Sequence, residues 1–359
     1  MARLKTDWIL FFTVVAMVGF GIVMLYSASS AVAEIRYDYP PYYFVLRQLA
    51  WAVLSFGVLM YLRKLDYRRL NTPTWAFTAL GTVLAMLVAV YFVDGRTHRW
   101  FRFGGIGSLQ PSEFAKPALI LFLAYFLARR KQVLNQKRTL QQAALAVAIL
   151  ALLVVVSDLG TAMIPVGTAL VVFWIAGLER RIMAAALAIG LLLGVAAVLA
   201  KPYRRERVIA FVTGTGGTSQ AAYQPLQSKI AVGTGGILGV GLMQGKQKLM
   251  FLPEAHTDFI YATVGEELGL WGSTAVLVGF LVVLWRGARL FLVSRDDFGR
   301  YLALGITVSI VVQALINMSV VLDMGPTKGF PLPMISFGGS SLLSTLASLG
   351  LLLSGRWRS

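Results

Sequence analysis

The chain has 359 residues, of which 57% are hydrophobic and only 14% are charged, and its mean hydropathy is +0.72. A soluble domain carries about 25% charged residues, so this composition excludes an ordinary soluble protein and indicates a membrane protein. The absence of cysteine excludes disulfides and thiolate catalysis. The net charge of +17 comes from basic residues that alternate with apolar stretches. We interpret them as orientation signals and lipid contacts, and expect no nucleic-acid partner.

Ten apolar runs approach the roughly 20 residues that a helix needs to cross a bilayer. In chain order, the predicted spans are residues 8–28, 45–62, 75–93, 110–128, 142–157, 161–178, 182–200, 266–285, 301–322 and 333–355. The first is too long, and too poor in a cleavage pattern, for a removable signal peptide. The predicted fold is an all-α polytopic membrane protein, with residues 1–359 forming one integral membrane domain.

The distribution of Lys and Arg predicts the orientation of these spans. With the N-terminus in the cytoplasm, most basic residues fall in inside segments. The exception is one outside loop that carries Arg96, Arg99 and Arg102. Both termini are therefore predicted to be cytoplasmic, which requires an even number of spans, as ten is.

Two predicted outside segments differ from plain connectors, one at about 94–110 and one at about 201–265. The second is too long for a simple loop, and long loops of this kind are usually functional or disordered. Its glycine, aromatic and apolar residues predict an ordered segment with helices lying at or dipping into the membrane interface. We expect the chemistry of the protein in this segment.

Five ordered blocks of sequence stand out along the chain. They are HRW at 98–100, QPSEFAKPALI at 110–120, DLGTA at 158–162, the loop from AAYQPLQSKIAVGTGG to PEAHTDFIYATVGEELG, and PLPMISFGGSS at 331–341. Together these blocks resemble the RodA/FtsW/SpoVE (SEDS) family. The resemblance implies ten helices and a peptidoglycan glycosyltransferase that polymerises lipid II, an undecaprenyl-pyrophosphate-linked disaccharide peptide. It also implies a location in the bacterial cytoplasmic membrane, contact with membrane lipids, and a class B penicillin-binding protein as transpeptidase partner.

The branch of the family is indicated less clearly. The GPTKG stretch at 325–329 resembles the division branch, whereas the short N-terminal tail and compact length resemble the elongation branch. Val156 and Ser157 stand where the family often has Gln-Pro. We favour RodA-like elongation and cell shape, with an FtsW-like division polymerase as the alternative. A lipid II flippase is the alternative from another class, but the candidate residues collect at the outer boundary and not at the membrane midplane.

Polymerisation of a lipid-linked sugar requires a base at the attacking hydroxyl and positive charge at the departing pyrophosphate. Asp258, at the end of PEAHTD, is the candidate base, because partial burial would raise its pKa. The alternative is a helix N-cap. A single carboxylate acting by direct displacement implies inversion at the anomeric carbon. Glu254 could share a helical turn with Asp258 and help hold Mg²⁺ or Mn²⁺, or be a solvated acid.

Other polar residues are candidates for binding the substrate. Glu113 and Lys116 lie on one face of the fourth span, where they form an ion pair or Lys116 reaches the pyrophosphate. The remaining candidates are Arg99, Arg102 and Arg204 for phosphate, with Arg96, Arg205 and Arg207 beside them, and Gln224, Gln227, Ser228 and His256 for the headgroup. For the glutamines and the serine, the alternative is that they tie the loop down. Asp158 either hydrogen-bonds helix ends or joins a polar cavity.

Nucleotide, haem and zinc cofactors are not expected. GLMQGKQ lacks the spacing of a phosphate-binding loop. Only two histidines are present, and there is no cysteine to ligate zinc.

Overall fold

The computed structural model describes residues 7–95, 97–104, 107–213, 220–249, 251–326, 329–354 and 357. These residues are almost entirely α-helical. The helices are α1 (Trp8–Tyr37), α2 (Tyr43–Lys64), α3 (Pro73–Val93), α4 (Pro111–Arg130), α5 (Lys137–Ser157), α6 (Leu159–Ile175), α7 (Arg180–Leu199), α8 (Pro202–Thr213), α9 (Gln220–Gly235), α10 (Ile260–Val293), α11 (Asp297–Val321) and α12 (Gly339–Leu352). Two short strands, β1 (Phe101–Arg102) and β2 (Ser108–Leu109), pair antiparallel.

The all-α membrane fold predicted from the sequence is confirmed. Among the described residues, eight helices are long and apolar enough to cross a membrane, and the shorter apolar helices α6 and α12 overlap the two remaining predicted spans. The predicted span at 333–355 has the wrong start, because Pro331, Pro333 and Gly338 keep the chain irregular until α12 begins. The predicted span at 266–285 is too short, since α10 begins at Ile260 and ends at Val293.

Helices α4 and α11 form the centre of the bundle. Helix α4 packs against α3, α5, α6, α11 and α12, and α11 also packs against α6, α9 and α10. Most side chains of both helices are buried, including polar ones that a lipid-facing helix would not carry. Helix α7 is the opposite case, because it is apolar all round and Met183 is its only buried side chain. Nearly the whole surface of helix α7 is therefore exposed and apolar, as contact with lipid requires.

The long predicted loop is ordered where the structure describes it. It contains α8 and α9, followed by an irregular segment from residue 236 to 259 that leads into α10. Two buried glutamates at the start of α10 hold this segment. Glu266 accepts hydrogen bonds from the backbone N–H of Lys246 at 2.7 Å and of Gln247 at 3.1 Å, and Glu267 accepts one from Met243 at 3.1 Å. Backbone donors that a loop would leave unpaired are thus satisfied by α10.

The same segment approaches α10 so closely that glycine is required. Gly239 has a φ of +81°, and a Cβ there would overlap the carbonyl of Glu267. Gly269 interrupts α10 with a φ of +62°, and a Cβ there would meet the backbone of Gly239 and Ile237. An ion pair between Lys248 and Glu267, joined by Ser27 of α1, lies beneath this contact. The irregular segment is therefore fixed to both α1 and α10.

Candidate active site

Asp258 is the last residue but one of the irregular segment, at the end of the bundle predicted to be extracytoplasmic. Helix α10 begins with Phe259 as its N-cap residue, and no side chain caps it. The N-cap alternative for Asp258 is therefore wrong. The backbone carbonyl of Asp258 accepts a hydrogen bond of 2.8 Å from Asn317 of α11. Its side chain is partly buried and lies against Gly329.

Four charged side chains act on the Asp258 carboxyl. The pKa of Asp258 is raised to about 7. Burial is the largest cause, and the negative charges of Glu254 and Asp158 contribute to the same rise. Arg207 of α8 and Arg99 of the 94–110 segment oppose this rise. The charges that act on Asp258 therefore come from its own segment and from three other parts of the chain. A carboxyl with this pKa is able to accept a proton near neutral pH.

Glu254 is close to Asp258 but not in the predicted geometry. Residues 253–259 form turns, so the predicted shared helical turn is wrong. Glu254 has a φ of +59°, and its carbonyl accepts from the backbone N–H of Thr257 and Phe259. Its side chain is exposed and accepts a hydrogen bond of 3.0 Å from the Thr257 hydroxyl. Glu254 therefore begins a turn, and its carbonyl accepts the hydrogen bonds of that turn instead of those of a helix.

The residues present test the predicted divalent cation. In the part of the chain that the structure describes, no group of three or more His, Cys, Asp or Glu side chains could hold a metal. A dedicated metal cage is therefore absent from that part. Mg²⁺, however, is commonly bound by one or two carboxylates together with substrate phosphates. Glu254 and Asp258 provide hard oxygen donors of that kind.

Arg99 is positioned by its own loop and by the α5–α6 junction. Asp94 accepts hydrogen bonds from the backbone N–H of Arg99 at 3.1 Å and of Trp100 at 3.3 Å. Together with the Thr97 hydroxyl, these donors hold the pKa of Asp94 below its usual range. The Arg99 side chain donates to the carbonyl of Ser157 at 2.7 Å and lies 3.8 Å from the Asp158 carboxylate. Arg99 is thus held at the rim of the site.

Asp158 serves both readings that its position in the sequence allowed. Its carboxylate caps α6, accepting from Gly160 N–H at 3.0 Å and from the Thr161 hydroxyl at 2.9 Å. The same carboxylate faces Arg99 and raises the pKa of Asp258. Asp158 therefore belongs to the charged group around Asp258 while it ends α5 and starts α6.

The other predicted arginines lie differently. The Arg102 side chain is exposed, 3.9 Å from Asp94. Arg204 donates to the carbonyl of Ala197 at 3.0 Å and to the Tyr203 hydroxyl, which ties α8 to the end of α7. Arg207, one turn further along α8, is the arginine of this cluster whose charge acts on Asp258. Arg96 lies outside the described residues.

Glu113 and Lys116 form a buried ion pair inside the bundle. Their charged atoms are 2.7 Å apart, and Lys116 also donates to the side-chain oxygen of Gln313 at 2.6 Å. The backbone carbonyl of Glu113 accepts from Ser344 of α12 at 2.7 Å. This is the ion-pair alternative of the sequence analysis, linking α4 to α11 and α12. A contact between Lys116 and pyrophosphate stays a prediction.

The polar residues of α9 and PEAHTD have separate surroundings. Ser228 is buried and donates to the carbonyl of Val321 at 2.6 Å, which ties α9 to the end of α11. Gln224 and Gln227 are partly buried on the same helix. His256 is buried between Phe44 and Phe337, and its carbonyl accepts from the Phe337 N–H. Burial lowers the pKa of His256, which favours the uncharged ring.

Residues 7–356 match the cell cycle protein family FtsW/RodA/SpoVE. The chain belongs to this family. "Probable peptidoglycan glycosyltransferase FtsW" of Geobacter metallireducens is 38% identical over 97% of this chain and 94% of its own. "Stage V sporulation protein E" of Bacillus subtilis is 36% identical over 98% of this chain and 97% of its own. The family assignment made from the sequence blocks is confirmed.

Solved structures of family members have the same fold. A chain from a peptidoglycan synthase complex, described as coordinating polymerization and crosslinking, is 29% identical and covers 97% of both chains, with a TM-score of 0.79. The rod shape determining protein RodA of Thermus thermophilus is 28% identical, covers 100% of this chain and 99% of its own, and has a TM-score of 0.71. The match over nearly the full length extends to the helices and segments that form the candidate site.

The sequence analysis missed the residues that close the site from the α11–α12 side. Asn317 of α11 donates to the carbonyls of Asp258 and Phe330, and Gln313 donates to the carbonyl of Pro331. Both are polar residues four apart inside an apolar span, which is a signal that they face the bundle interior. Gly329 carries no local signal for its contact with Asp258. Only the folded structure brings them together.

Gly329→Ala should impair the site while leaving the bundle intact. A Cβ at residue 329 would overlap the Asp258 carboxylate, so the carboxylate must move away from its present position. A displacement of about 1 Å in a reacting group can lower a rate roughly 100-fold. Gly325→Ala is the matched control, because a Cβ there meets nothing within 4 Å. We expect glycan synthesis to fall in the first variant and not in the second, with equal thermal unfolding midpoints; equal synthesis rates would contradict the packing described.

Proposed function

We propose that this protein polymerises lipid II into glycan strands on the outer face of the cytoplasmic membrane. The observation that supports the proposal most strongly is Asp258, a carboxyl whose burial raises its pKa to about 7 and whose charge interacts with the charges of Arg99 and Arg207. A general base and two cations at one place are the groups that transfer from a sugar pyrophosphate requires. The relatives named as peptidoglycan glycosyltransferases agree with this chemistry.

The proposed reaction is a direct displacement. The Asp258 carboxylate accepts the proton of the attacking sugar hydroxyl, whose oxygen forms a bond to the anomeric carbon of a second, lipid-linked sugar. The bond from that carbon to the polyprenyl pyrophosphate breaks, and its electron pair leaves with the pyrophosphate. Arg99 and Arg207 offset the negative charge that develops there. Because one carboxylate acts once as a base, the anomeric configuration inverts.

A divalent cation is part of the proposal. Glu254 and Asp258 would hold Mg²⁺ or Mn²⁺ together with the phosphates of the substrate. When bound, the cation would supply Lewis-acid stabilisation of the leaving pyrophosphate. The guanidinium groups of Arg99 and Arg207 would contact the same pyrophosphate from the 94–110 segment and from α8.

The proposed partner is a class B penicillin-binding protein. The solved structure of a peptidoglycan synthase complex supports this, since it pairs polymerization with crosslinking and contains a chain of this fold. The sequence favours elongation, the curated relatives reported above are named FtsW and stage V sporulation protein E, and one of the solved structures is a rod shape determining protein. Complementation distinguishes the branches: rescue of rod shape indicates elongation, and rescue of septation indicates division.

The test uses the purified protein with a transpeptidase-inactive partner, fluorescent lipid II and Mg²⁺ or Mn²⁺. We expect glycan chains and one released polyprenyl pyrophosphate for each new sugar bond. Lipid II scrambling across vesicles without any polymer would contradict the proposal and indicate a carrier. Asp258→Asn, in the same assay, shows whether any polymer comes from this chain and not from a contaminating enzyme.

A further inference from the structure

We infer that Asn317 is a positioning residue that joins the turn containing Asp258 to residues 329–331, a segment that we call the strap. This inference rests on the proposed function, because it concerns how Asp258 is held for proton transfer. Neither the motifs nor the charges around the site point to Asn317. The hydrogen bonds of α11 do.

Asn317 uses both of its side-chain donor hydrogens on two different segments. Its amide nitrogen donates to the carbonyl of Asp258 at 2.8 Å and to the carbonyl of Phe330 at 2.6 Å. The residue is 1% exposed, so neither bond competes with solvent. Its side-chain oxygen has no partner within the described part of the chain. Through these two donated hydrogen bonds, the buried Asn317 amide joins the turn that contains Asp258 to the strap.

Gln313 repeats this arrangement one turn earlier on α11. Its amide donates to the carbonyl of Pro331 at 2.9 Å, next in the strap after Phe330. Its oxygen accepts from Lys116, which is paired with Glu113. Residues four apart lie on one face of a helix, so α11 presents two successive amides to two successive strap carbonyls. The hydrogen bonds of Gln313 thus connect the buried ion pair of Glu113 and Lys116 to the strap.

The strap lies directly against the Asp258 carboxylate at Gly329. One hydrogen bond of Asn317 holds the backbone carbonyl of Asp258, and the other holds the carbonyl of Phe330, the residue after Gly329. The carboxylate is therefore confined between its own backbone anchor and the strap. Loss of Asn317 leaves two carbonyls without donors, and the strap and turn become free to separate. The carboxylate then loses the fixed position that proton transfer requires.

The main test compares Asn317→Leu, which removes both donors at similar volume, with Thr307→Val. Thr307 is a matched control because it is buried in the same helix, and its hydroxyl donates to the carbonyl of Ala303 one turn back. Three readouts are measured on the full-length protein with its partner: kcat for lipid II, KM for lipid II, and backbone deuterium exchange of residues 251–260 and 329–337. Asn317→Ser, which keeps one shorter donor, is the second variant.

For Asn317→Leu, we expect kcat to fall roughly 10- to 100-fold with KM little changed, as for a misplaced reacting group. Backbone exchange should rise in both segments. Asn317→Ser should lower kcat and raise exchange by less, so the test survives if the leucine variant does not fold. Thr307→Val should change none of them.

Several outcomes would overturn the inference. Wild-type kcat in Asn317→Leu, or a lower kcat with unchanged exchange in both segments, would show that Asn317 does not hold the turn to the strap. If the wild-type protein makes no polymer, the proposed function fails, and exchange alone tests whether Asn317 joins the turn to the strap. Raised exchange in both segments would then support it, and unchanged exchange would overturn it.

Discussion

Replacing Asp258 by asparagine should lower the rate of glycan synthesis by roughly 10²- to 10⁴-fold, the contribution of a positioned general base. The amide has nearly the same shape as the carboxyl but cannot accept the proton. The fold should be retained, because the hydrogen bond from Asn317 goes to the backbone carbonyl and not to the side chain. Polymer from fluorescent lipid II, separated by length, measures the effect.

The matched control is Asp38→Asn, the same substitution at an exposed aspartate after α1. Asp38 has a left-handed backbone, which asparagine also tolerates, so the fold should be retained. Asp38 is neither the proposed base nor a proposed cation ligand, so the rate should change little. Equal losses in the two variants would contradict the assignment of Asp258 as the base.

The second large effect is expected at the buried pair of Glu113 and Lys116. Removing one partner leaves an uncompensated charge inside the bundle, which costs roughly 3–5 kcal/mol for buried pairs. Glu113→Gln and Lys116→Met should each lower the thermal unfolding midpoint strongly. The double variant should recover much of the loss, because neither charge then remains. Thermal unfolding in lipid nanodiscs measures all four proteins.

Activity measured on the same four proteins separates the two roles proposed for Lys116. If it only pairs with Glu113 and steadies Gln313, the double variant should regain activity together with stability. If Lys116 contacts pyrophosphate, the double variant should be stable and inactive, with a raised KM. Single variants that unfold like the wild type would contradict the buried ion pair itself.

Most of the fold could be predicted from the sequence because a bilayer imposes a length and a composition on each span. The limits of the spans were harder to predict. Helix α1 continues to Tyr37, beyond the predicted end at residue 28, because nothing between them breaks a helix before Asp38 adopts a left-handed conformation. The start of α12 was misplaced because an apolar composition does not distinguish a helix from the irregular segment at 330–338.

The site was predictable where chemistry depends on residue type and position beside a span. Asp258 and Arg99 were found in this way, and the structure brings their charges together. The choice between Arg204 and Arg207 depends on which face of α8 meets the site, which no local pattern fixes. Asn317 and Gly329 come from segments distant in sequence from residue 258, so their contacts arise only from the packing of α11 and the strap.

The dependence of the polymerisation rate on pH tests most directly whether one carboxylate acts as the base. Asp258 must be deprotonated to accept a proton, and its pKa is raised to about 7. The rate should therefore be level above about pH 7 and fall about tenfold per pH unit below it. A rate that stays level well below that midpoint, or that rises as the pH falls, would contradict the assignment of Asp258 as the general base.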